Sequence, residues 1–260
     1  MGDDGLAAQV GRLRADPRMA LLEGFHALKH ALRFRACIEL AVAADLGAVD
    51  ALAGEMAPDL RPALRRLVRE ADPDVMALAA PRIPHTGVVG FARRPQDGPD
   101  RLRKAPRDKP VVLLENPRDL GNVGAVIRVA AAADAAAVLT TGDRDPWDPR
   151  AIRGSAGLHF ALPVLRSPPG PVADRPLVAV DPEGESLGAE IIPPGAVLAF
   201  GTERHGLTDD VLDRAAMRLR IPMRPGVSSL NLATAVAVVL FALRPPGEPP
   251  GPRLSGGGYG

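Results

Sequence analysis

A chain of 260 residues is long enough for one large domain or two ordinary ones. Hydrophobic residues make up 46% and charged residues 24%, which excludes a chain that is mainly disordered or fibrous. With 32 Lys and Arg against 31 Asp and Glu, the net charge is +1, so attraction to nucleic acid has to be local rather than global.

Met1 to about Pro17 is polar and is expected to be partly ordered at most. From Met19 to Phe34, Leu21, Leu22, Phe25, Leu28 and Leu32 recur at helical spacing. Cys37–Ala43 reads as a short apolar strand with Cys37 in the core. Leu60–Val68 reads as a helix, and Gly87–Ala92 as a closing strand. Between Arg93 and Lys109 seven basic residues face three acids, among Pro95, Gly98, Pro99 and Pro106. This segment reads as a basic linker. After Pro110 the short apolar runs Val111–Leu114, Ala136–Leu139, Leu177–Val180 and Ala196–Phe200 read as strands buried on both faces. Helices are expected over Asn122–Ala133, Thr208–Ala216 and Leu230–Leu243. Alternating strands and helices point to a mostly parallel α/β sheet. The organisation expected is thus a flexible N-terminus (1–17), a small α/β domain (18–94), a linker (95–109), a second α/β domain (110–244) and a disordered Pro- and Gly-rich tail (245–260).

Cys37 is the single cysteine, which excludes an internal disulfide and a Cys-based zinc site. A reducing compartment is the default, and Asp3 and Asp4 sit where a secretory signal needs positive charge, so the expected location is cytoplasmic. The longest apolar stretch, Leu230–Leu243, is shorter than the ~20 residues that span a bilayer. Aromatics at 3% argue against broad base-stacking platforms. The sequence carries no P-loop, no H-E-x-x-H and no G-x-G-x-x-G after a strand. His26 and His30 lie four apart, but no further ligand accompanies them, and no metal is expected.

Three segments stand out, each where a strand runs into a helix. Asn116–Arg128 offers Asn122 as a helix cap, and Gly124 and Arg128 share a face four residues apart. Val197–Thr208 carries a loop with glycines at both ends, Gly201 and Gly206, around Glu203. It follows a buried strand, at the end where ligands bind in open α/β sheets. Arg220–Ala235 holds Pro222, which ends a strand or marks an edge. Ser229 is a candidate cap for the last helix, with Asn231 in its first turn. Each segment alone is equally compatible with an ordinary capped strand-to-helix connection.

Together the three segments resemble the motifs of the SpoU/TrmH family of RNA ribose 2'-O-methyltransferases, of the SPOUT superfamily. The family's N-x-G-x-x-x-R is met by Asn122, Gly124 and Arg128. Its G-x-E-x-x-G is met by Gly201, Glu203 and Gly206. Its I-P-M followed by S-L-N is met by Ile221-Pro222-Met223 and Ser229-Leu230-Asn231. The resemblance covers about Val111–Leu243. Leu22–Leu28 and Pro84–Gly90 more loosely resemble the small RNA-binding domain of many members. Asp119 stands where asparagine or histidine is common, and Ala233 where serine is common.

The resemblance implies a knotted parallel-sheet methyltransferase domain, a homodimer, and S-adenosylmethionine held by Gly201, Glu203, Gly206, Ile221, Met223, Ser229 and Leu230. The catalytic set it implies is Arg128, Asn122, Glu203, Ser229 and Asn231. A guanidinium is a poor ground-state base, so Arg128 is expected to hold a phosphate and stabilise developing alkoxide charge. The substrate expected is ribosomal or transfer RNA, because only RNA presents the 2'-hydroxyl. Two other readings stay open: a non-catalytic RNA-binding or ribosome-assembly factor of the same fold, and a small-molecule α/β enzyme.

Overall fold

The computed structural model describes residues 3–166, 174–187, 192–202 and 205–243. The chain divides into two compact units. One holds residues 3–95 with 156–160, and the other holds the described residues of 96–155 and 161–243.

The first unit runs α1 (Asp3–Ala15), β1 (Met19–Glu23), α2 (Phe25–Arg33), β2 (Ile38–Ala43), α3 (Leu46–Met56), α4 (Arg61–Leu67), β3 (Val68–Glu70), α5 (Pro73–Ala79) and β4 (Val88–Arg93). Its sheet has the order β1-β4-β2-β3, antiparallel except for the β2–β3 pair. The polar N-terminus, expected to be partly ordered at most, forms α1. Leu6 and Val10 make the difference, because they pack into the core with Met76, Ala79 and Phe91. The helix expected over Met19–Phe34 divides into β1 and α2. Gly24 breaks it with φ +95°, a conformation that side chains strain to adopt. Only Phe25, Leu28 and Leu32 of the apolar series belong to the helix. The break also joins two segments far apart in sequence. Phe25 N–H donates to Thr86 Oγ1 at 3.0 Å, and Gly24 N–H to the Val88 carbonyl at 2.9 Å. Cys37 is exposed rather than core, because the strand begins one residue later. Between α3 and α4, Asp50 takes paired hydrogen bonds from Arg61 (2.8 and 2.6 Å) and Arg65 (2.6 and 2.8 Å). First Arg61 and then Arg65 hold its carboxyl well below the usual carboxylate range.

The second unit runs α6 (Gly98–Lys104), β5 (Val111–Leu114), α7 (Leu120–Ala132), β6 (Ala137–Thr140), α8 (Pro149–Ser155), β7 (Val164–Arg166), β8 (Leu177–Ser186), β9 (Val197–Phe200), α9 (Asp209–Arg214), β10 (Met217–Arg220) and α10 (Leu232–Ala242). Its six strands are all parallel, in the order β10-β8-β9-β5-β6-β7. β5, β6 and β9 are buried at every residue, as continuous apolar runs require when helices cover both faces. Pro222 falls just beyond β10, which is an edge strand. The segment expected to be a linker contains α6. Pro99 lies in its first turn, where the missing N–H costs nothing, and Leu102 packs against the sheet's core. The tail over 245–260 lies outside the described residues.

Candidate functional site

The C-terminal end of β9 and the middle of β8, at Val180–Pro182, open onto a cleft of about 380 Å³. Its apolar lining comes from Val180, Phe200, Ile221, Met223 and Leu230, and its polar lining from Asp181, Thr202, Ser228 and Ser229. This is the position where open parallel sheets present ligands.

The glycine loop after β9 is built by backbone contact. A Cβ on Gly201 would lie 2.0 Å from the Gly206 carbonyl carbon, so only glycine lets the loop close on itself. Gly206 turns it with φ +64°. Thr202 N–H donates to the Gly206 carbonyl at 3.1 Å, and Gly206 N–H donates back to the Thr202 carbonyl at 3.0 Å. Glu115, at the end of β5, fixes the loop's exit. One carboxylate oxygen accepts from Thr208 N–H (2.8 Å) and the other from Thr208 Oγ1 (2.7 Å). Glu203 lies outside the described residues.

The other two motifs meet through their helix starts. Asn231, not Ser229, caps α10. Its Oδ1 accepts from Ala233 N–H (2.9 Å) and Thr234 N–H (3.4 Å). Asp119, not Asn122, caps α7, accepting from Asn122 N–H at 2.9 Å. Both expected caps are thus displaced by a neighbouring residue. The displacement frees Asn122 for a longer-range contact: Asn231 Nδ2 donates to Asn122 Oδ1 at 3.0 Å, across 109 residues of sequence. Gly124 serves packing. A Cβ there would meet the Ala151 carbonyl oxygen at 2.2 Å and Gly154 Cα at 2.8 Å, so α7 and α8 touch backbone to backbone.

Of the residues singled out from sequence, Gly201, Gly206, Ile221, Met223, Ser229 and Leu230 line one cleft. Asn122 and Asn231 are joined directly beside it in the fold, at the starts of α7 and α10. Arg128 is exposed on α7, one turn beyond Gly124, and is not among the residues that line the cleft. Sequence reading missed Glu115, Asp181, Pro182 and Thr202. Asp181 and Pro182 directly follow the apolar run Leu177–Val180, and the rule that ligands sit beyond strand ends was signal enough to find them. Among the described residues there is no group of three or more His, Cys, Asp or Glu that could hold a metal.

Residues 109–241 match the model of the SpoU rRNA Methylase family. A tRNA/rRNA methyltransferase of Mycobacterium bovis, itself uncharacterized, is 32% identical over 216 residues, covering 78% of this chain and 72% of that relative. The 23S rRNA (guanosine(2553)-2'-O)-methyltransferase of Bacillus subtilis is 34% identical over 134 residues, covering 48% of this chain and 54% of the relative. Several curated relatives are matched over only about half their own length. Among solved structures, an AdoMet-bound rRNA methyltransferase from Sinorhizobium meliloti is 26% identical with a TM-score of 0.70. That match covers 92% of this chain and 94% of that one.

Proposed function

The chain belongs to the SpoU rRNA methylase family, and from that premise we propose that it moves a methyl group from S-adenosylmethionine to a ribose 2'-hydroxyl of ribosomal or transfer RNA. The observation that carries this reading is the meeting of two motif loops, those after β9 and β10, in one cleft, with the third tied to them across 109 residues of sequence through Asn122 and Asn231.

The residues present fit the donor. The volume lies within the range of small-molecule clefts, about 300–1,000 Å³, and the lining is mainly apolar with a few polar groups. Ile221, Met223, Leu230 and Phe200 give cover for an adenine ring, while the Gly201–Gly206 loop brings backbone amides and carbonyls close. When bound, S-adenosylmethionine supplies a methyl group on a cationic sulfur. Glu203 and Ser229 belong to the proposed set by their motif positions. Asn122 and Asn231 hold the starts of α7 and α10 at a fixed spacing, which keeps the cleft's walls in register. Arg128 stays charged, holds an RNA phosphate and lowers the energy of the oxyanion that develops at O2'.

The first unit and the basic segment Arg93–Lys109, which contains α6, are proposed to bind the RNA, and the C-terminal chain to close into the family's trefoil knot. A homodimer is proposed on α10, which is apolar but for Thr234 and leaves Val238 and Phe241 exposed. Sedimentation of the wild type and of Phe241→Arg decides that point, the dimer being lost in the variant. No described helix is long and apolar enough to cross a membrane. The proposed place of work is the cytoplasm, where these RNAs are.

The test is transfer of labelled methyl to purified ribosomal and transfer RNA, followed by digestion to nucleosides. Wild type is expected to give 2'-O-methylnucleosides, and Arg128→Ala to slow transfer by about 10²–10³-fold. Arg128→Lys is expected to recover part of the rate without a base-like limb in its pH profile. RNA binding without donor binding would favour a non-catalytic factor, and label on a base would contradict the reaction.

A further inference from the structure

The geometry points to Asp181 as the residue by which the cleft prefers a methyl donor with cationic sulfur to its spent, sulfur-neutral product; this rests on reading the cleft as the donor site.

The placement of Asp181 comes from an irregularity in β8. Along β9, β8 keeps strict register up to Val180 opposite Phe200. Along β10, Ala179 faces Arg218 but the next pair is Glu185 with Leu219. Val180–Gly184 is therefore looped out of that ladder. Gly184 brings the chain back, since a Cβ there would lie 2.5 Å from both Leu219 N and the Arg218 carbonyl carbon. The excursion carries Asp181 and Pro182 into the cleft wall, level with Phe200 and Gly201. Asp181 is half-buried, and its Oδ1 accepts from Glu183 N–H at 2.9 Å, which orients the carboxylate.

Asp181 is the sole ionisable side chain among the cleft's described lining residues. The others are apolar or, like Thr202, Ser228 and Ser229, neutral hydroxyls. A carboxylate in a partly enclosed cleft, among described lining residues that are otherwise neutral, favours a ligand that carries positive charge. Donor and product differ by one methyl group and one positive charge. The adenosine and the amino-acid end are common to both, so a charge near the sulfur separates them. Binding the cation in the ground state favours donor over product without accelerating transfer. That makes Asp181 a specificity-determining residue rather than a catalytic one.

The experiment is direct binding of S-adenosylmethionine and S-adenosylhomocysteine to the full chain, by calorimetry, for wild type, Asp181→Asn and Asp181→Glu. Asn keeps the acceptor for Glu183 N–H and removes only the charge. Asp181→Asn is expected to weaken donor binding about five- to tenfold while product affinity changes less than about twofold. Asp181→Glu is expected to keep most of the preference. An equal loss for both ligands, or no change for either, overturns the assignment, since the charge then reads nothing at the sulfur. Wild type that binds neither ligand overturns the donor-site reading itself, and the inference with it.

Discussion

Asn231 does two jobs with one amide. Its oxygen caps α10 and its nitrogen reaches Asn122, so cap and cross-connection can be separated by substitution. Asn231→Ala removes both and is expected to cost about 1 kcal/mol in denaturant unfolding, the usual worth of a cap. Asn231→Asp keeps the capping oxygen and places negative charge at a helix N-terminus, so its stability is expected within about 0.5 kcal/mol of wild type. It loses the donor to Asn122, and methyl transfer should fall all the same. Equal destabilisation by both variants would show that the cap is not the oxygen's main role. From sequence, Ser229 is the expected cap of α10 and Asn122 that of α7, although Asn231 and Asp119 are residue types that cap as well. Tertiary contact between helix starts decides between them, and that contact spans 109 residues.

At the level of elements, the glycines of the first motif explain how α7 and α8 sit so close. Gly124→Ala puts a methyl against backbone atoms that cannot swing aside, and a loss of about 1–3 kcal/mol is expected in denaturant unfolding. Gly11→Ala, in α1 with nothing within 4 Å of the added Cβ, is the matched control. It should stabilise by about 0.5–1 kcal/mol, the helix propensity difference. A Gly124 variant as stable as the Gly11 variant would mean that the helices can part cheaply. The parallel strands were legible because burial on both faces leaves a continuous apolar signature. β1 was not, because its leucines happen to continue the spacing of α2, and only the positive φ at Gly24 separates them. α8 escaped notice because it is seven residues long, with Pro149 at its start and Gly154 near its end. α6 was hidden by the same breakers, which at a helix start are no obstacle.

For the whole molecule, a net charge of +1 leaves RNA attraction to local clusters. Arg101, Arg103 and Lys104 lie in the last turn of α6. Replacing all three by Gln is expected to weaken RNA binding and to flatten its dependence on log salt by about 0.7–0.9 for each phosphate no longer neutralised. An unchanged slope would move the RNA-binding surface elsewhere. The motifs of the site were readable in sequence because each is local. Their convergence was not, because it depends on which strands of a parallel sheet become neighbours, and β8 pairs with β9 and β10 rather than with the strands that precede it in sequence. The most direct test of that convergence is hydrogen–deuterium exchange of the full chain with and without S-adenosylmethionine. Slowed exchange is expected together in the segments around Asp181, Gly201 and Ser229. Donor binding that leaves these three segments unprotected, or protects only residues outside the cleft, would contradict the account.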